Sequence, residues 1–368
     1  MSLREAILRD GRVANLPYET LFSEELIMRK FVLYFALALW LVGCGQQQPP
    51  KLTVMTHDSF AISEATLQQF EQAHNVTVEL LPAGDAGAAL NQAILAKDAP
   101  LADLFFGVDN TFMGRALAAG IFIPYRSPAL ENVPEALQLD PTYHLTPIDY
   151  GDVCLNYDVA WFQEKALEPP ANLDALIDPA YRGLLVVQNP ATSSPGLAFL
   201  LATIAAYGPD GYLDYWRQLR ANDVLVTAGW QDAYYGHFTA ASDGDRPIVV
   251  SYASSPAAEV FYGELATAPT ASVTAANACF RQVEFVGILQ GSQQPELAQQ
   301  FVDFMLSQPF QEDIPLNMFV YPALEGVTLP EVFVRWAQQP AATATLPPAE
   351  IDANREQWIE AWTEVVLR

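Results

Sequence analysis

Between Lys51 and Asn110 the chain alternates short apolar runs with stretches of helical spacing, and this alternation restricts the fold more than any other feature. KLTVMTH reads as a strand, SEATLQQFEQAH as a helix capped by Ser63, VTVELLPA as a strand, AGAALNQAILA as a helix, and ADLFFGV as a strand ending at Asp109-Asn110. Such an order needs crossover connections, and so predicts a parallel sheet. A second set follows: GLLVVQN, a helix from Pro195, another around YLDYWRQL, then DVLVTAG, the helical WQDAYYGHF and the strand PIVVSYA. Two α/β units predict two lobes. The C-terminal third adds two amphipathic helices, QPELAQQFVDFMLS and PAEIDANREQWIEAWTEVV. No internal repeat is visible.

In open parallel sheets ligands sit beyond the carboxyl ends of the strands. The residues expected there are His57, Asp58, Ser59 and Phe60, then Asp85, then Asp109 and Asn110. The second set supplies NPATSSPG, Gly229-Trp230 and SYASSP from Ser251 to Pro256. Asp, Ser, Asn and Gly are also ordinary turn residues, but six such loops at one end of the strands point to a cleft. Thr192, Ser193 and Ser194 stand just before Pro195, which favours the first helical position. Ser194 is therefore expected as the N-cap, and the hydroxyls serve either as a cap alone or as part of an anion cradle. With Ser254, Ser255, Trp230 and Tyr252 in one half and Asp58, Asp85 and Asp109 in the other, the cleft suits a ligand with an anionic end, a flat ring and a cationic portion. Trp230 has a second reading as a core residue.

Charge narrows the partners. Eighteen basic against 43 acidic residues give −25, which repels nucleic acid and anionic surfaces and draws cations toward a cleft. No phosphate loop, dinucleotide turn, zinc-protease helix or hydrolase elbow occurs. His57, His74, His144 and His237 are not in ligand spacing, so no metal is expected. A hydrolase using Ser193 or Ser194 lacks a positioned base. The chain reads as a binding protein without cofactor, not an enzyme.

The stretch MRKFVLYFALALWLVGCG, Met28 to Gly45, has a basic start and an apolar run too short to span a bilayer comfortably. It reads as a signal peptide, followed by the tether GQQQPP. Leu41-Val42-Gly43-Cys44 resembles the bacterial lipobox, in which the Cys carries lipid. Residues 1–27 then read as an extension ahead of a true start at Met28. Cys154 and Cys279 either pair in an oxidising compartment or remain buried thiols.

VMTHDSF, DYG at 149–151, QNPATSSPGLAFLL, GWQDAYYGHF, VVSYASSPA, QPELAQQFVDFML, IPLNMFVYP and PAEIDANREQWIEAW resemble, in order, the periplasmic thiamine-binding proteins of ABC transporters. The resemblance runs over about residues 51–368. It implies an α/β, two-lobed type II periplasmic-binding-protein fold of the iron/thiamine subgroup, with a ligand cleft between lobes joined by a hinge. Lobe 1 would hold 51–145 and 266–368, and lobe 2 would hold 146–265. It also implies capture of thiamine or its mono- or diphosphate for an ABC permease and its ATPase subunit. The expected setting is the periplasm or the outer face of the cytoplasmic membrane, on a lipid anchor, as a monomer.

Carried over residue by residue, the resemblance puts Asp85 and the backbone of Ala86 on the ligand, with Ser193 and Ser194 at its phosphate or hydroxyethyl end. Trp230, Tyr252, Ala253, Ser254 and Ser255 form the second-lobe side, and His57, Asp58 and Phe319 complete the expected site. The chain departs from the family pattern at His57 and Ala258, where Tyr is usual, and at Glu64 and Phe319, where Trp is usual, so a thinner aromatic enclosure is expected. A ferric-ion-binding or other small-anion-binding solute receptor of the same fold is the alternative, with Tyr234-Tyr235 as the candidate pair for iron. In a helix, however, consecutive side chains diverge by about 100°.

Overall fold

The computed structural model describes residues 49–368. The expected signal peptide, lipidated Cys44, the extension 1–27 and most of the tether at 45–50 lie outside the described residues. No helix among the described residues is long and apolar enough to cross a membrane.

Eleven strands share one sheet: β1 (Lys51–Thr56), β2 (Thr77–Pro82), β3 (Leu104–Asp109), β4 (Phe122–Ile123), β5 (Thr146–Asp158), β6 (Leu185–Gln188), β7 (Leu225–Thr227), β8 (Ile248–Tyr252), β9 (Thr270–Val273), β10 (Phe280–Leu289) and β11 (Tyr321–Pro322). The order is β2-β1-β3-β10-β5-β8-β6-β7, with β4 on β10 and with β9 and β11 on β5. The expected parallel pairs are present at both ends: β1 with β2 and β3, and β6 with β7 and β8. The centre corrects the expectation, because β10 runs antiparallel to β3 and β5, and β5 antiparallel to β8. Neither central strand reads as one from sequence. TPIDYGDVCLNYD carries three carboxylates, a Gly and a Pro, features that argue against a strand.

β5 serves both halves of the sheet. Thr146 to Val153 pair with β10, and Val153 to Asp158 pair with β8 and β9. Cys154 is joined to Cys279 where this change of partner occurs, with 4.4 Å between their Cα atoms.

Ten α-helices among the described residues flank the sheet. The first four are α1 (Glu64–His74), α2 (Ala86–Leu95), α3 (Met113–Ala119) and α4 (Val159–Lys165). They are followed by α5 (Ser194–Ala221), α6 (Ser255–Tyr262), α7 (Pro295–Met305), α8 (Gln308–Asn317), α9 (Glu331–Trp336) and α10 (Pro348–Val366). Ser63 caps α1 as read, accepting the Thr66 N–H at 3.2 Å. The two helices expected between Pro195 and Leu219 form one run, α5, bent where Gly208 takes a φ of 73° ahead of Pro209. α10 packs on α5 through Trp362 and Trp216, edge to face at 5.4 Å, both buried. Burying one large apolar side chain contributes about 1.5–3 kcal/mol. This layer therefore anchors the C-terminal helix on the last turns of α5.

Candidate functional site

Strand ends from both halves converge on a cavity of about 580 Å³. The first half contributes His57, Asp58 and Phe60 from the loop after β1, and Asp85 and Ala86 at the start of α2. Glu284 of β10 and Phe319, just beyond α8, complete that side. The other side consists of Ser194 and Pro195 at the start of α5, Trp230, Gln231, Tyr234 and Tyr235 after β7, Tyr252 at the end of β8, and Ser255, Ala258, Glu259 and Tyr262 of α6.

Asp85 ties the two sides together. It caps α2, with Oδ1 accepting the Ala86 N–H at 2.7 Å. The same carboxylate crosses the cleft: Oδ1 accepts the Ser194 N–H at 3.2 Å, and Oδ2 accepts the Trp230 N–H at 2.9 Å. Burial raises the Asp85 pKa, while the backbone bonds from Trp230 and Ser194 act to lower it. Gly229 leaves room for this approach, since a Cβ there would lie 3.2 Å from Oδ2. Beside it the Ala88 N–H donates to the Thr192 carbonyl at 3.1 Å, and Gln231 Nε2 donates to the Asp58 carbonyl at 2.7 Å.

This arrangement corrects the expected cap: the cap position of α5 is Ser193, extended at φ −121° and ψ 132°, and not Ser194, which is already helical. The Asp85 carboxylate stands at this positive helix terminus, one oxygen taking the Ser194 N–H and the other the Trp230 N–H from the loop after β7.

Nine of the expected site residues line the cavity: His57, Asp58, Asp85, Ala86, Ser194, Trp230, Tyr252, Ser255 and Phe319. Ser193, Ala253 and Ser254 do not; all three are buried behind its wall. Ser254 Oγ donates to the Phe319 carbonyl, holding Phe319 at a φ of 53°. A left-handed backbone at a bulky residue persists only where its surroundings impose it. Ala253 packs against the Cys154–Cys279 pair. Ser255 and Ser251 share a hydroxyl bond of 2.8 Å, and Ser251 Oγ accepts the indole N–H of Trp230 at 2.9 Å. Trp230 is therefore a positioned wall of the cavity, stacked on Tyr234 at 4.9 Å and 24°.

Tyr234 is buried and Tyr235 is 57% exposed, the divergence a helical backbone dictates. Tyr234 donates its hydroxyl to Glu259 at 2.9 Å, and burial pushes its pKa well up, which disfavours the phenolate a ferric ion needs. No group of three His, Cys, Asp or Glu among the described residues is placed to hold a metal ion.

A row of acids runs across the floor strands; the sequence pointed to Asp109 but not to Glu284 or Asp149 as parts of the site. In the sheet register Glu284 stands opposite Asp109 on β3 and opposite Asp149 on β5. Like charges directly opposed on adjacent strands destabilise a sheet. Burial, reinforced by Glu284, pushes Asp149 well above the carboxylate range, and burial raises Asp109 to about 7. For Glu284 burial acts upward too, but the His57 ring and the Asp149 carboxyl more than reverse it. Ser59 N–H donates to His57 Nδ1 at 3.2 Å, which leaves Nε2 as the nitrogen facing Glu284 Oε1 at 3.3 Å. The available signal was a lone Glu inside the apolar run FRQVEFVGIL, since a charge buried among apolar residues usually has work to do.

The model of a family described as bacterial extracellular solute-binding protein matches residues 99–346. A thiamine-binding periplasmic protein of Escherichia coli (strain K12) is 34% identical over 324 residues, covering 87% of this chain and 94% of its own length. One from Brucella melitensis biotype 1 is 31% identical over 333 residues, covering 88% and 94%. Among solved structures, a periplasmic thiamin binding protein superposes with a TM-score of 0.77 at 31% identity, covering 88% of this chain and 98% of that one. Iron-bound HitA from Pseudomonas aeruginosa, at 21% identity and a TM-score of 0.68, covers 86% and 99% and shares the fold alone.

Proposed function

The chain belongs to the bacterial extracellular solute-binding protein family, with the two-lobed α/β periplasmic-binding-protein fold, and on that premise we propose that it captures thiamine or a phosphate ester of thiamine and passes it to an ABC permease and its ATPase. One observation carries this reading: Asp58, Asp85, Glu259 and Glu284 line the cavity with no Lys or Arg among its lining residues, beside the flat faces of Trp230 and Phe319. A small heteroaromatic cation gains from both features, through Coulomb attraction to the carboxylates and through the ring quadrupoles.

The relatives' names place them in the periplasm. The reading adds that residues 28–44 direct export, that Cys44 carries the lipid anchor, and that the protein works as a monomer whose lobes, 51–145 with 266–368 and 146–265, move about a hinge. Calorimetry on protein lacking residues 1–44, titrated with thiamine, its mono- and diphosphate and ferric citrate, tests the ligand. Heat with a thiamine compound supports it. Heat with ferric citrate alone, or a visible absorption band on adding iron, overturns it in favour of an iron receptor.

A further inference from the structure

Four acidic side chains line the cavity, and they are not equivalent. The Asp85 carboxylate is taken up by the N–H groups of Ala86, Ser194 and Trp230. Glu259 accepts the Tyr234 hydroxyl. Asp58 is exposed at the rim, where solvent screens it. Behind the wall, Asp109 is enclosed by the Thr111 N–H and hydroxyl, the Phe112 N–H and Gln282. Asp149 does not reach the cavity and has no hydrogen-bond donor on either oxygen.

Glu284 remains. Its side chain is 8% exposed, it lines the cavity, and the polar groups beside it are His57 Nε2 at 3.3 Å and the Asp149 carboxyl. Its backbone sits where the β10 register shifts against β5, and such a shift re-aims a side chain. The neighbouring acids on β3 and β5 cannot share its charge state, because three ionised carboxylates abreast would repel one another strongly. Burial lowers the His57 pKa, but Glu284, with Asp85 and Asp58, more than reverses this; the carboxylate is thus paired with a titratable ring and not with a permanent cation, and a ligand that brings a permanent positive charge compensates it at any pH.

We propose that Glu284 is the specificity-determining counter-charge of the site, oriented by His57 and Asp149, which selects a ligand bearing a fixed positive charge over a neutral one of the same shape. The inference rests on the thiamine reading above and assigns the atom that recognises the ligand's charge.

Calorimetry with two probes tests it: thiamine, and a neutral analogue in which the thiazolium is replaced by a triazole ring. The wild-type protein is expected to bind thiamine at least tenfold more tightly than the analogue. Glu284→Gln, which keeps the shape and removes the charge, is expected to weaken thiamine at least tenfold and leave the analogue within threefold. Equal weakening of both probes assigns Glu284 a packing role and overturns the inference, as does unchanged thiamine affinity. Should Glu284→Gln not fold, the wild-type comparison decides alone, and equal affinities for the two probes overturn it. Failure of the wild-type protein to bind either probe removes the thiamine reading itself, and the inference with it.

Discussion

Replacing Asp85 with Ala should loosen the cleft even when no ligand is present. The carboxylate accepts one N–H from its own helix and two from across the cavity, those of Ser194 and Trp230. Hydrogen bonds to a charged group contribute about 1.5–3 kcal/mol each, so the two crossing bonds hold the halves together by about 3 kcal/mol. The carboxylate is buried against its own preference, as its raised pKa records. Removing it relieves part of that cost and leaves a net loss of about 1.5–3 kcal/mol, a ten- to hundredfold shift in the closed-to-open ratio at about 1.4 kcal/mol per tenfold. Small-angle scattering of the unliganded protein, with fluorescence energy transfer between a label on each half, would read this as a larger radius of gyration and a longer mean distance. Asp85→Asn should open the cleft as well, because one end of its amide would present N–H to the N–H of Trp230. Scattering curves for the wild type and Asp85→Ala that superimpose would refute the reasoning.

Trp230→Ala should weaken thiamine binding at least tenfold, and tryptophan fluorescence should be quenched when thiamine binds the wild-type protein; unchanged affinity would mean the indole only packs. Asp109 titrates near 7 folded against 3.8 as an isolated side chain, so it holds its proton more tightly in the folded protein. Its contribution is complete below about pH 4 and is lost as pH rises through 7, up to about 4 kcal/mol at 1.36 kcal/mol per unit. The melting temperature should fall over that range, and a flat or rising profile contradicts the assignment. Reducing the Cys154–Cys279 bond, which closes a loop with a sequence separation of 125, should lower stability by up to about 5 kcal/mol, measured by denaturant titration with and without reductant. Gly87→Ala would put a Cβ 2.9 Å from the Thr192 carbonyl and should destabilise by about 1–3 kcal/mol, seen as an earlier thermal transition.

The outer parts of the sheet were legible because their strands are short, apolar and separated by capped helices, and the loops after β1, β2, β6, β7 and β8 fell where parallel topology puts them. Asp85 was legible as a residue at a helix start. Its partners were not, since Ser194 and Trp230 lie 109 and 145 positions away and no local pattern encodes that pairing. β5 and β10 were hidden by the carboxylates that make them useful, because Asp149 and Glu284 break the apolar pattern by which a buried strand is recognised. Ser193 and Ser254 were visible as hydroxyls, but whether a hydroxyl faces a cavity or supports its wall is decided by packing from distant segments.

The sulfur bridge sits where β5 changes partners, and it limits the motions open to the molecule. Cys154 on β5 is tied covalently to Cys279 just ahead of β10, so the two central strands are locked to each other at the point where β5 passes from one half of the sheet to the other. Were the proposed lobes to turn about a hinge, the bridge would fix the spacing of these strands, and the contact of Gln231 with the Asp58 carbonyl across the cavity would be among those that part.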